Sequence, residues 1–326
     1  MCKVLIVSGI KKEYRTKALE FYKLMAKEMT PHNNDGCGYA AVDSEGQLFG
    51  ERWFNNYEAF TTPNNYMDVI KEKFGDGADT KASMQYNSFG VINQEDIAAI
   101  TLHTRFATTT KSLQNVHPFY YSDADTSLIH NGVINNHEEY KKYVSTCDSE
   151  AILNRYTANE IAVAPQNMQD MANELMGYYA CGVFSRDNNG ERILDVFNGK
   201  NTNVYINYIH ELEAFTLCTS NRDVLDVCKR LGWKTEESVQ LKDGNFYRFN
   251  PFNGDIIYKD VFTPKEKEVR TYWNDYREYR NVMDASNKGN KKMNKGIAKM
   301  LALIPNVKEL TGDEKEDVME ELYSVS

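Results

Sequence analysis

Short apolar runs separated by polar, turn-forming stretches occupy most of residues 1–262. Runs rich in Val, Ile, Leu, Tyr and Phe predict strands at Val4–Ser8, Tyr39–Val42, Ala98–His103 and Ser127–His130. The same pattern predicts strands at Tyr178–Arg186, Ile193–Asn198, Val204–Asn207 and Phe215–Thr219. A Ser-Glu-Gly turn at Ser44–Gly46 leads into a further strand, and Tyr247–Asn250 with Ile256–Tyr258 read as a hairpin around Asn253-Gly254. Apolar spacing nearer to 3.6 residues predicts helices over Tyr14–Glu28, Asp148–Asn159, Met168–Met176 and Arg222–Leu231. Residues 55–88 read as irregular, with one short helix. Strands in groups, with helices bunched between the groups, predict an α+β arrangement of sheets packed on one another and covered by helices.

The remaining residues differ in composition. Residues 264–299 hold ten Lys and Arg against five Asp and Glu, and 309–321 are acidic. The chain therefore divides into a domain over 2–262 and a charged, mostly helical extension over 263–326. At 326 residues and 41% hydrophobic, the chain has ample material for a buried core. A net charge of −9 argues against a general nucleic-acid binder, so a nucleic-acid partner is not expected. No run of 18 apolar residues suggests a membrane span, and Val4–Val7 is too short for a signal-peptide core. A cytoplasmic location is expected. The six cysteines form no C-x-x-C pair, and five of them read as small buried hydrophobes. Neither G-x-G-x-x-G after a strand nor a P-loop is present.

The sixth cysteine, Cys2, changes the picture. Loss of Met1 would give it both a thiol and a free α-amine, and such an amine serves as base to its own side chain. Arg105 follows an apolar strand, and its guanidinium fork suits either a substrate carboxylate or a structural ion pair. The polar loop after it, from Phe106, could fold over a ligand. Asp148 opens a helix as an N-cap, and its carboxylate is also suited to an amino group. Asn131-Gly132 is either a hairpin turn or a pair of donors aimed at a developing oxyanion. His103, His117, His130 and His137 lie 14, 13 and 7 residues apart, which matches no common metal-ligand spacing. No metal and no cofactor is expected.

Taken together, "HTRFAT", "NVHPF", "IHNGVINNHEEYK", "CDSEAIL" and "DGCGYA", with Cys2, resemble the class II, N-terminal-nucleophile (Ntn) glutamine amidotransferases. The likeness is to the glutaminase domain of glucosamine-6-phosphate synthase and spans roughly residues 2–250. It implies a four-layer αββα sandwich of Ntn-hydrolase type with a short helical C-terminal appendage. It implies that Cys2 is the nucleophile and that Asn131 and Gly132 form the oxyanion hole. Arg105, Phe106, Thr108, His117 and Asp148 would bind the substrate, L-glutamine. The chain departs from the family pattern at Lys3, where many members carry glycine; a lysine there alters pocket access or lowers the thiol pKa. The "HNNDGCG" segment also lacks the usual Arg-Gly lead. Too few residues follow the domain for an ammonia-using module, so the acceptor synthase is expected on another chain or is absent, and a homo-oligomer is compatible with this. Two alternatives stay open at this point: an Ntn amidohydrolase for another small amide, and an inactive binding or regulatory subunit that keeps the fold.

Overall fold

The computed structural model describes residues 2–265, except 32, 54–87, 91–92, 108–110 and 144. Contacts divide the chain into a unit over Met1–Glu266 and a second over Lys267–Ser326. The expected irregular stretch at 55–88 lies outside the described residues apart from its last position, and the expected extension over 263–326 lies outside them apart from its first three.

The chain opens with β1 (Lys3–Ser8), α1 (Arg15–Met29), β2 (Gly36–Val42), β3 (Leu48–Trp53), β4 (Ser88–Phe89) and β5 (Ala99–Arg105). It continues with β6 (Phe119–Tyr121), β7 (Thr126–Ile134), α2 (Ser149–Ala158), α3 (Met168–Glu174), β8 (Gly177–Arg186) and β9 (Arg192–Asn198). β10 (Tyr205–Ile209), β11 (Ala214–Cys218), α4 (Asn221–Leu231), β12 (Val239–Gln240), β13 (Asn245–Phe249) and β14 (Ile256–Val261) complete it. One sheet has the order β12-β10-β11-β1-β5-β2-β3-β4 and the other β14-β13-β9-β8-β7-β6. The paired strands run antiparallel.

The layering follows from how side chains alternate along each strand. In β1, Val4 and Ile6 point between the sheets, where they meet Ile129, Ala180, Phe184 and Val196 of the second sheet. Leu5 and Val7 point the other way, onto α1 and α4. A strand covered on both faces is apolar throughout, which is why "VLIV" has no polar alternation. α1 presents Ala18, Phe21, Tyr22, Met25, Ala26 and Met29, a stripe at helical spacing, to that outer face. On the opposite side Ile152, Leu153 and Tyr156 of α2 and Met168, Met171 and Ala172 of α3 cover Tyr179, Cys181, Val183, Phe197 and Phe246. The layers are therefore helix, sheet, sheet, helix: the αββα sandwich implied by the resemblance. Each fully buried aliphatic side chain stabilises it by about 1.5–3 kcal/mol, so a charge at Ile6 would break the inter-sheet contact.

A buried ion pair fastens the second sheet to its helices. Arg248 on β13 forks onto Asp195 on β9, whose other contact is the Tyr156 hydroxyl at 2.6 Å. Several strands run further than expected, among them β2 from Gly36, β5 to Arg105, β7 to Ile134, β10 to Ile209 and β14 to Val261, and β4, β6 and β12 are added short strands. The differences at β5, β6 and β7 lie where the candidate site forms.

Candidate active site

The β-register places Cys2. Lys3 on β1 pairs with Thr104 on β5, so Cys2 falls opposite Arg105, the last residue of β5. β1 is an inner strand, with β11 on its other side, and this fixes Cys2 at the rim of the first sheet. The Cys2 thiol donates to the Phe106 carbonyl at 3.6 Å. Burial holds that thiol above its ordinary pKa. The Phe106 backbone and the Arg105 charge pull it down, while Asp148 pushes it further up. The groups that act on the sulfur thus include three of the residues the sequence singled out, Arg105, Phe106 and Asp148. Lys3 takes no part in this: its ammonium pairs with Asp223 of α4 at 2.7 Å.

Arg105 is buried, at 3% exposure, and Phe106 beside it is 44% exposed. Their backbone is held by a residue the sequence reading passed over. The Asp35 N–H donates to the Arg105 carbonyl at 3.1 Å, and the Asp35 carboxylate accepts the Ala107 N–H at 2.8 Å. Its other oxygen pairs with Lys111 at 2.7 Å. Burial raises the Asp35 carboxyl, but Lys111 and the Ala107 N–H outweigh it and the pKa is lowered. The "DGCG" glycines have a packing reason nearby. A Cβ on Gly38 would come within 2.2 Å of the His117 carbonyl, so residues 116–117 cross β2 at backbone distance. Thr108 lies outside the described residues.

Asn131-Gly132 is not a turn. Both residues sit inside β7, opposite Ala180 and Tyr179 of β8, and the strand continues to Ile134. Gly132 has φ +152°, and a Cβ there would lie 2.0 Å from the Tyr178 carbonyl. Only glycine fits this backbone. Asn131 is buried, and its Oδ1 has no hydrogen-bond partner among the described residues.

Asp148 occupies the N-cap position of α2, but its dihedrals are helical and its side chain makes no capping hydrogen bond. This corrects the expected capping role. The carboxylate instead accepts the Ile134 N–H at 2.7 Å, clasping the end of β7 two residues past Gly132. Among the described residues its second oxygen receives only the weak Cys147 S–H donor, at 3.4 Å.

Three further motif residues support these positions. Asn115 and Thr146 bond reciprocally, at 2.8 and 3.0 Å, tying "NVHPF" to "TCDSE". Glu150, fully buried, accepts the Tyr143 N–H, the Ser145 N–H and the Ser145 and Tyr121 hydroxyls, which orders the approach to Asp148. Ser149 bonds the ring of His130. The available signal was a set of polar residues in otherwise buried segments.

His117 is buried, its ring 4.0 Å from that of His103 and edge-on to Phe119. His103, His117 and His130 are all held neutral, chiefly by burial, with His103 brought down to about 3. Among the described residues, no cluster of His, Cys, Asp and Glu is arranged to hold a metal ion. No described helix is long and apolar enough to cross a membrane. Of the six cysteines, all are free; Cys2 is half-buried and the other five are buried.

No family model matches the chain. It is 25% identical over 201 residues to a probable glutamine–fructose-6-phosphate aminotransferase (isomerizing) of Acanthamoeba polyphaga mimivirus, covering 56% of this chain and 32% of the relative. It is also 25% identical over 181 residues to glutamine–fructose-6-phosphate aminotransferase (isomerizing) of Fusobacterium nucleatum, covering 53% of this chain and 28% of the relative. The chain thus spans about a third of the length of the curated relatives it matches. In fold it is similar to glutamine phosphoribosylpyrophosphate amidotransferase from B. subtilis complexed with ADP and GMP, with a TM-score of 0.51 at 14% identity, over 80% of this chain and 49% of that one. A structure of the allosteric regulatory enzyme of purine biosynthesis matches with a TM-score of 0.53, also at 14% identity and the same coverage. The chain resembles the class II, N-terminal-nucleophile glutamine amidotransferases in sequence, and its fold is theirs.

Proposed function

We propose that residues 2–262 form a glutaminase that hydrolyses L-glutamine to glutamate and ammonia, with the ammonia passed to an acceptor synthase. The observation that carries this reading is the meeting of Cys2, Arg105 and Asp148 at one rim of the sandwich. A thiol between a cation and an anion suits a free α-amino acid, whose own two charges have the opposite signs. The reduced thiol this requires fits a cytoplasmic setting.

With Met1 removed, the Cys2 α-amine takes the thiol proton. The thiolate attacks the side-chain amide carbon of glutamine, and the carbonyl oxygen becomes an oxyanion. The Asn131 side-chain amide and the Gly132 N–H donate to it; each such donor contributes roughly 10²–10³-fold. The α-ammonium then protonates the leaving nitrogen, ammonia departs, and a γ-glutamyl thioester remains on Cys2. Water, deprotonated by the same amine, hydrolyses the thioester to glutamate and restores the thiol. Arg105 holds the substrate carboxylate and Asp148 its ammonium, displacing the weak Cys147 S–H contact. Phe106, Thr108 and His117 complete the substrate-binding set, with the exposed Phe106 at its mouth.

Incubation with L-glutamine tests the reading. The chain beginning at Cys2, verified by intact mass, should release glutamate and ammonia in equal amounts and act poorly on simple primary amides. Cys2→Ala should release neither; full activity in that variant overturns the assignment.

A further inference from the structure

The groups proposed to hold the two ends of glutamine sit on different elements, and one buried side chain joins those elements. His130 immediately precedes Asn131 on β7, and its Nδ1 bonds the Ser149 hydroxyl at 2.8 Å. Ser149 immediately follows Asp148 at the start of α2. Both residues are 2% exposed, so this bond is shielded from water. Ser149 also accepts the Cys147 thiol at 3.3 Å. The His130 carbonyl meets the Nε2–H of His103 at 3.0 Å, two residues before Arg105 and on the opposite sheet. A Cβ on Gly132 would lie 2.7 Å from His130 Nε2, so the ring lies directly against the Gly132 backbone.

We infer that His130 is a positioning residue: through Ser149 it fixes the distance from the Asn131-Gly132 donors to Asp148, and through its carbonyl it ties both to the Arg105 strand. The inference rests on the glutaminase reading. Glutamine's side chain is flexible, so the pocket must impose the one conformation that brings its amide carbon to the thiol, and must hold two strand ends and a helix start to within about 0.5 Å. Apolar packing alone tolerates sliding of that size, whereas a short buried hydrogen bond does not. A displacement of about 1 Å at such a contact lowers catalysis by up to roughly 10²-fold.

Two reagents that alkylate Cys2 separate the possibilities: iodoacetamide, which lacks amino-acid ends, and a chloromethyl ketone built on the L-glutamine backbone. Ser149→Ala should slow the ketone by about tenfold or more and raise KM for glutamine similarly. It should leave iodoacetamide within about twofold and lower the melting temperature by only about 2–4 °C, the effect of unpairing one buried imidazole nitrogen. Ser149→Thr, which keeps the hydroxyl, should restore the ketone rate. Ser149→Ala that slows both reagents equally, or neither, overturns the positioning role alone. Wild-type protein with no preference for the ketone over iodoacetamide overturns the glutaminase reading and this inference with it.

Discussion

The Asp35 carboxylate accepts the Ala107 N–H at 2.8 Å while the Asp35 N–H donates to the Arg105 carbonyl at 3.1 Å. One residue thus brackets Phe106, whose carbonyl receives the Cys2 thiol. Asp35→Ala removes the acceptor and leaves the half-buried Ala107 N–H unpaired, at a cost of about 1 kcal/mol. Glutamine KM should rise roughly 10-fold in steady-state assays. Asp35→Asn keeps an oxygen for Ala107 and loses only the Lys111 pairing, so its defect should be smaller.

Gly132→Ala places a methyl group within 2.0 Å of the Tyr178 carbonyl at φ +152°. β7 must shift away from β8 to admit it. The expected outcome is a kcat lower by roughly 10²–10³-fold, the magnitude for one misplaced oxyanion donor, with a lower melting temperature. An unchanged kcat would remove Gly132 from the proposed oxyanion hole.

Asp148→Asn retains an oxygen for the Ile134 N–H and loses the charge. The fold should survive, as judged by thermal melting. Loss of a charge-assisted hydrogen bond, about 1.5–3 kcal/mol, should raise glutamine KM by roughly 10- to 100-fold. Iodoacetamide should still alkylate Cys2, and faster, because the Asp148 charge helps keep the thiol protonated.

Acid should unfold the protein through its buried imidazoles. His103, His117 and His130 stay neutral in the folded chain, whereas unfolded histidine takes a proton near 6.5. Their folded pKa values lie below the unfolded one, so their stability contribution is complete above pH 6.5 and is lost as pH falls below it. His103 and His117, the two held furthest down, give a slope of up to roughly 2.7 kcal/mol per pH unit, and His130 adds to it just below 6.5. Glu51, raised by burial from 4.5 to about 7, holds a proton in the folded state over that window and offsets about half of it. Urea melts at pH 7, 6 and 5 should therefore show unfolding free energy falling by at least roughly 1 kcal/mol per unit below pH 6. A flat profile would mean that the histidine cluster is open to water.

The layers were legible wherever periodicity reports burial, as in the stripe of α1 and the unbroken apolar run of β1. Local cues misled where sheet pairing overrode them. Asn131-Gly132 carries a turn dipeptide, yet β8 supplies Ala180 and Tyr179 as partners and the strand runs on to Ile134. Asp148 stands where a cap is expected, but the end of β7 offers its N–H to the carboxylate first. Lys3 was read toward Cys2, and Asp223, brought close only by the fold, takes its charge. Asp35, Asn115, Ser149 and Glu150 lie within the quoted motifs, but their partners are tertiary, and no spacing rule points from Asp35 to Ala107.

The position of β1 also bears on when the site can exist. Leu5 is flanked by Leu102 on one side and Cys218 on the other, so the strand that carries Cys2 has neighbours made long after it. The strand that carries Cys2 is enclosed only once residues 99–105 and 214–218 are both in place, and such distant pairings form slowly. The pocket proposed around Cys2 therefore closes late, after most of the domain's length has been laid down.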